Sequence, residues 1–346
     1  MDKPHETSPA LRLGLLAGAL ILLFLLPRLS GNQEYLMALG VSFALFAVLS
    51  GGLNLVYGYT GLLSFAQVGF FGVGAYAAAL LVMDLGWSLW PAAVVAGLLA
   101  AACGAVIGYA SLRLSRHAFA IVSLCFALLC GILARDWVSL TRGAMGLPGL
   151  PAPELWLPGI GTWRIVRPED FYLLLMGYAV VALALIYRVM HSRLGRAMRA
   201  IKLNEALAQS HGIDPLAYKL LALILSAVLA GIAGALFVFY LTIVDPSVFD
   251  FYYTETMLIM VIIGGPGSFW GVLVSTAILA ALPDMLRFTT DLRMVLYGVI
   301  LVVAMLLFPG GIGGWLHKRR LTRWKAAGGS TAESPLQADG QDRQPS

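Results

Sequence analysis

The chain is 346 residues long, 60% hydrophobic and only 12% charged, with a formal net charge of +5 and a mean hydropathy of +0.84. So few charges cannot cover a water-soluble surface, so the composition places the chain in a bilayer and excludes a disordered or collagen-like polymer. Confinement of the basic residues to short segments also excludes a dedicated nucleic-acid binder.

A crossing helix needs roughly 20 mostly apolar residues. Runs of that length, separated by polar or turn-forming residues, predict ten spans over residues 11–29, 35–57, 62–83, 89–111, 118–137, 171–189, 216–241, 248–264, 269–286 and 292–308. The expected fold is therefore all-α, a polytopic integral membrane protein of about ten transmembrane helices, some short or broken. The first run has no small-x-small cleavage site after it and reads as an uncleaved anchor. Cys103, Cys125 and Cys130 lie in apolar runs and are expected to be small buried hydrophobes, with no disulfide framework or zinc site implied.

Lys and Arg collect in three segments that hold 13 of the 23 basic residues: 113–116, 188–219 and 318–325. Ten spans put all three on one side, which the positive-inside rule makes cytoplasmic, together with both termini. The domain reading follows: a cytoplasmic N-terminus at 1–10, a membrane domain at 11–309 and a basic, then disordered tail at 310–346. Within the membrane domain lie an external loop at 139–170, rich in Pro and Gly with balanced charge, and a cytoplasmic helix at 192–212.

The third span is introduced by Gly58 and Gly61 and interrupted by Ser64, Gln67, Gly69, Gly72 and Gly74. Such glycine density weakens a helix and marks either close helix packing or a broken, re-entrant segment lining a translocation path. Thr60, Ser64 and Gln67 could offer hydroxyl and amide groups to a polar solute. In the fourth span Ala92, Ala96, Ala100, Gly104 and Gly108 recur every four residues, and the seventh span carries Ala227, Ala230, Gly231 and Gly234. These stripes predict close backbone approach, within the chain or to another subunit.

Residues 192–212 read as one amphipathic helix. Leu194, Met198, Ile201 and Ala208 form an apolar stripe, Arg196, Arg199 and Lys202 form a basic face, and Gly212 closes the element before Pro215. It could lie on anionic lipid or dock a soluble partner. Gly264, Gly265, Pro266, Gly267 and Ser268 predict a tight reversal between two short spans.

Catalysis is not supported. All five histidines, His5, His117, His191, His211 and His317, fall in predicted cytoplasmic segments, leaving no histidine base beside Ser268 and no haem or metal ligand set in the bilayer. Among ionisable residues within spans only Glu255 stands out, which is little for an ion-coupled transporter.

Residues 51–64 running into 70–80, residues 195–205 with Gly212-Ile213, residues 230–236 and residues 264–271 together resemble the membrane permease subunits of branched-chain amino acid ABC importers, the LivM-type in particular. The resemblance covers about residues 35–309, with its motifs in the family's order. It implies an inner-membrane importer subunit forming half of a path for branched-chain amino acids or a related small solute. Its implied partners are a homologous LivH-type permease, two cytoplasmic ATP-binding subunits that use ATP and Mg, and an external solute-binding protein. No cofactor is implied for this chain beyond contact with membrane lipid.

Carried over residue by residue, Gly195, Arg196, Arg199, Lys202, Glu205 and Gly212 become candidates for coupling to the ATPase. Thr60, Ser64, Gln67 and Glu255 become candidates for the path, and Gly58, Gly61, Gly69, Gly72, Gly74, Gly264, Gly265 and Gly267 become packing or helix-breaking glycines. The chain departs from the family pattern with Leu62 in place of Gln, Gln67 in place of His, Thr141-Arg-Gly143 in place of Thr-Gly-Gly, and Glu255 about one position from the expected acid. A secondary transporter or passive channel for a small polar solute is the alternative reading.

Overall fold

A computed structural model describes residues 33–157, 161–165, 167–285 and 311. The predicted spans at 11–29 and 292–308, the N-terminus and the tail lie outside the described residues. The remaining eight predicted spans all form helices. Helix α1 (Gln33–Leu53) continues into a π-helical turn over Asn54–Thr60, and α2 (Gln67–Leu85), α3 (Leu89–Ser111) and α4 (Arg116–Asp136) follow. A four-residue α5 (Val138–Thr141) leads into the long loop, after which come α6 (Pro168–His191), α7 (Arg193–Leu203), α8 (Glu205–Ser210) and α9 (Pro215–Leu241). Helices α10 (Phe251–Gly264) and α11 (Phe269–Met285) complete the order. Among the described residues seven stretches are long and apolar enough to cross a membrane: Tyr35–Thr60, Gln67–Leu85, Leu89–Ser111, Arg116–Asp136, Pro168–His191, Pro215–Leu241 and Pro246–Gly264, with a shorter apolar helix at Phe269–Ala281.

The helix ends follow local chemistry. Ser115 caps α4 by accepting from the Ala118 amide. Asp214 caps α9 at Leu216, directly before Pro215, whose missing N–H is no loss in a first turn. Glu169 and Asp170 lie in the first turn of α6, and Arg188 and His191 lie in its last, each favourable to the helix dipole.

Helix α9 is the centre of the bundle and packs between α2 and α3. The predicted small-residue stripes meet each other within the chain. Ala92, Ala96 and Ala100 of α3 are fully buried, and a Cβ added at Gly231 would lie 2.6 Å from Cβ of Ala100, while one at Gly104 would lie 3.0 Å from Cβ of Ala227. On the other side, a Cβ at Gly74 of α2 would collide with the backbone of Gly231, and one at Gly234 with the backbone of Phe71. Lipid tails are as apolar as leucine, so such close van der Waals packing, rather than a hydrophobic driving force, is what holds these helices together.

The loop at 139–170 holds short strands that the sequence reading did not include. Strand β2 (Glu154–Leu157) pairs with β3 (Gly161–Arg164) in an antiparallel hairpin, and β1 (Leu147–Pro148) pairs with β4 (Ile243–Val244) directly after α9. Leu147 and Val244 are fully buried, so the loop is anchored by apolar side chains too few and too dispersed to give a periodic signal. The cysteines also depart from expectation. Cys125 is exposed on α4, and Cys103 and Cys130 are only half-buried. Helix α4 turns a face bearing Ile121, Leu128, Leu129 and Ile132 outward, and an apolar position in a membrane chain need not be a core position.

Candidate functional site

The predicted third span is helical only from Gln67 onward, and Gly69, Gly72 and Gly74 lie within that unbroken helix. Helix α1 ends in the π-helical turn, Gly61 takes φ +78°, and α2 begins only at Gln67. The left-handed backbone at Gly61 is one that a side chain would resist. The corrected boundary places Thr60, Ser64 and Gln67 on three different parts of one break: its end, its non-helical stretch and its restart. All three are buried.

Ser226, the partner of Gln67, lies eleven residues into α9, about 16 Å along its axis. The break therefore reaches far along the 27-residue α9 and lies deep in the bundle. Gln67 there donates through Nε2 to the carbonyls of Leu49 (3.4 Å) and Ser226 (3.5 Å), and its Oε1 accepts from the Ser226 hydroxyl at 2.7 Å. Gly52 makes room, since an added Cβ would lie 2.9 Å from both Gln67 Nε2 and Ser226 Oγ.

Backbone groups freed by the break are taken up by side chains. The Phe65 amide donates to Ser123 Oγ of α4 (3.0 Å) and the Ala66 amide to Ser64 Oγ (3.3 Å), while the Thr60 hydroxyl donates back to the Val56 carbonyl (2.7 Å). Satisfaction of this kind is what allows irregular backbone at membrane depth.

At the lower edge of the break three elements meet. The Gly267 amide, in the reversal between α10 and α11, donates to Asn54 Oδ1 (2.8 Å), and Asn54 Nδ2 donates to the Ser268 carbonyl (3.4 Å). Gly58 lies against this pair, where a Cβ would come within 2.5 Å of the Gly267 nitrogen. From α7, Lys202 Nζ donates to the Gly58 carbonyl at 2.7 Å, and the Arg199 guanidinium sits 5.3 Å from the centre of the Tyr59 ring. Burial holds the Lys202 ammonium below the ordinary lysine pKa. A Cβ at Gly61 would lie 3.2 Å from Lys202 Cγ and 3.7 Å from the Arg116 guanidinium, and Gly311 packs on Gly265. The first two basic segments, and the chain just before the third, thus share one end of the bundle.

The predicted 192–212 helix is two helices. Asn204 adopts φ −154° and ψ 108°, breaking α7 from α8 and capping α8 by accepting from the Leu207 amide at 3.0 Å. The apolar stripe does not face lipid. Met198, Ile201 and Ala208 are buried against the bundle and Leu194 is half-buried. Arg193, Arg196 and Arg199 are exposed, as are Leu203 and Leu207 beside the bend. Gly195 sits where a Cβ would collide with the Met190 carbonyl, which fixes the tight corner from α6, and Gly212 closes α8 at φ +77°.

Glu205 does not stand free on this surface. Its Oε1 accepts from Lys219 Nζ at 2.6 Å, and Lys219, inside α9, is 4% exposed. Lys219 is thus an ionisable residue inside the predicted span 216–241 that the sequence reading counted with the basic segment 188–219, and Glu255 does not stand alone.

The remaining candidates disperse. Glu255 is half-buried on α10, about 14 Å along the axis from Gly264, and is not part of the hydrogen-bonded set around Gln67. Gly69 and Gly72 make room for the rings of Phe126 and Phe249, Gly74 meets α9, and Gly264 lies against the backbone of Val272. Sequence reasoning missed Asn54, Ser226, Ser123 and the Ser50–Thr276 hydroxyl pair (3.0 Å). Their signal was present: they are neutral polar side chains inside apolar runs, the same kind as Thr60, Ser64 and Gln67, but they lie outside the glycine-rich third span.

The comparisons with known proteins bear on this geometry. Residues 35–305 match the family described as branched-chain amino acid transport system / permease component, which spans every element described above except residue 311 and the first two residues of α1. The chain belongs to this family. It is 32% identical over 288 residues to the high-affinity branched-chain amino acid transport system permease protein LivM of Escherichia coli strain K12, covering 78% of this chain and 67% of that protein. LivM of Salmonella typhimurium matches to the same extent. LivH of Escherichia coli strain K12 is 28% identical over 298 residues, covering 80% of this chain and 93% of LivH. A family of transport-system membrane components, together with seven apolar helices, makes this an integral membrane protein that serves transport.

Proposed function

We propose that the chain is the LivM-type permease subunit of an ATP-driven importer, forming half of a path for branched-chain amino acids or a closely related solute. The observation that carries the reading is the bent α7–α8 connection. Its apolar face is consumed by the bundle, while Leu203 and Leu207 stand exposed beside arginines on the outer face. A soluble ATP-binding subunit docking there would cover them.

In this reading the end bearing the basic segments is cytoplasmic, as positive charge favours, in a bacterial inner membrane. A LivH-type permease completes the path, two ATP-binding subunits supply the energy with ATP and Mg, and an external binding protein delivers the solute. The permease chain itself does no chemistry. Thr60, Ser64 and Gln67 line the switching part of the path, where exchange of their internal hydrogen bonds for solute or water would accompany opening. Glu255 belongs to a separate portion.

The test is reconstitution of the chain with these partners in liposomes. Uptake of leucine, isoleucine or valine that requires ATP and the binding protein supports the proposal. Uptake by the chain alone without ATP would replace it with a passive channel or secondary transporter.

A further inference from the structure

We infer that Lys202 and Lys219 are the two transmission contacts of the transport cycle: each fastens one half of the bent α7–α8 connection to a different membrane helix, so a change of bend at Asn204 shifts the α1 break against α9. The inference rests on the coupling role proposed above and goes further by naming the residues that carry the motion.

Lys202 is in the last turn of α7, and its ammonium reaches the Gly58 carbonyl at 2.7 Å with its stem laid along Gly61. A lysine serving only a surface would extend its ammonium into water. This one points into the protein and holds a carbonyl of the π-helical turn. Three residues on, Glu205 in the first turn of α8 binds Lys219 of α9 at 2.6 Å. A lysine only 4% exposed is tolerable there because it is paired, so α8 cannot leave α9 without stranding a buried charge.

The two ties flank a single non-helical residue, Asn204. They end on the π-helical turn that continues α1 and on α9, the two helices that Gln67 joins deep in the bundle through Leu49 and Ser226. A displacement at the bend is therefore carried along the backbones of α1 and α9 to the buried Gln67 junction. Arg199 and Glu205 flank the same route, while Leu203 and Leu207 would receive the push.

The experiment counts solute taken up per ATP hydrolysed by the complete importer, with both permeases, ATP-binding subunits and binding protein, in liposomes. Lys202→Met and Lys219→Met should each lower that ratio at least tenfold, and Lys202→Arg, which keeps a donor for Gly58, should recover most of it. A wild-type ratio in Lys202→Met overturns the inference. In the unmodified importer, hydrogen exchange at 54–61 and at 205–219 should change together on ATP binding, and change in neither or only one segment overturns it without reliance on a variant. The wild-type control separates the two readings: absence of ATP-driven uptake there refutes the importer itself rather than the role of the lysines.

Discussion

The hydroxyl of Ser226 on α9 donates to the side-chain oxygen of Gln67, the first residue of α2, and this bond joins a helix restart to the central helix deep in the bundle. Both residues are at most 1% exposed. In a low-dielectric interior the bond matters chiefly through what its loss leaves behind.

Gln67→Leu leaves the Ser226 hydroxyl without that acceptor and should cost about 1–3 kcal/mol. Ser226→Ala strands the Gln67 oxygen instead. Because each single change exposes the other partner, the double variant should be less destabilised than the sum, by roughly 0.5–3 kcal/mol. Thermal unfolding of the detergent-solubilised chain measures this. Additive effects would mean that the bond contributes nothing. Uptake per folded transporter in Gln67→Leu separately tests the path: unchanged kinetics return Gln67 to packing alone.

The junction of α2, α3 and α9 should be intolerant of volume. Gly231→Leu pushes a side chain into Ala100 and the Ala96 carbonyl, where an added Cβ would lie 2.6 and 3.0 Å away. Overpacking of this kind costs about 1–3 kcal/mol and more where backbone is the obstacle. A sharp fall in folded yield is expected by fluorescence size exclusion. Gly177→Ala on α6 is the control, because nothing lies within 4 Å of its added Cβ and alanine is the better helix former by about 1 kcal/mol. Equal yields from the two variants would contradict this packing.

What was legible in the sequence was whatever repeats. Apolar runs of bilayer length located eight helices, and the four-residue spacing of Ala92 through Gly108 located the face that meets α9. The alternation of apolar and basic residues after Ser192 gave the buried face of α7. The features that escaped depend on single residues. Asn204 breaks the connecting helix by accepting from the Leu207 amide three residues on, a competition that periodicity does not register. Lys219 looks like one more basic residue near a loop until Glu205 is brought beside it from fourteen positions away. The start of α2 at Gln67, rather than at Leu62, follows from backbone groups finding Ser64 and Ser123, a tertiary fact.

Asn54 should hold the reversal between α10 and α11. Asn54→Leu removes the acceptor for the Gly267 amide and the donor to the Ser268 carbonyl, while Asn54→Asp keeps the acceptor alone. Backbone hydrogen exchange at 264–268 is expected to rise in Asn54→Leu and to stay closer to wild type in Asn54→Asp. The cost of the leucine variant is about 1–3 kcal/mol, the desolvation of groups left unpaired. Protection of the turn in Asn54→Leu equal to wild type would show that Gly265 and Gly267 define it without side-chain help.

The two faces of the connecting helices should separate stability from docking. Ile201 is fully buried, so Ile201→Glu places a carboxylate against the bundle and should destabilise the isolated chain. Leu203 and Leu207 are 86% and 58% exposed, so Leu203→Glu with Leu207→Glu should leave the unfolding midpoint of the isolated chain near wild type. If an ATP-binding subunit covers these leucines, the same pair of changes should weaken its binding at least tenfold, about 1.4 kcal/mol, because an interface core excludes charge. Titration of the purified ATP-binding subunit against the permease in nanodiscs measures this. Undiminished binding by the double variant would move the docking surface to Arg193 and Arg196 on the remaining outer face of α7, where charge reversal would then be the deciding change.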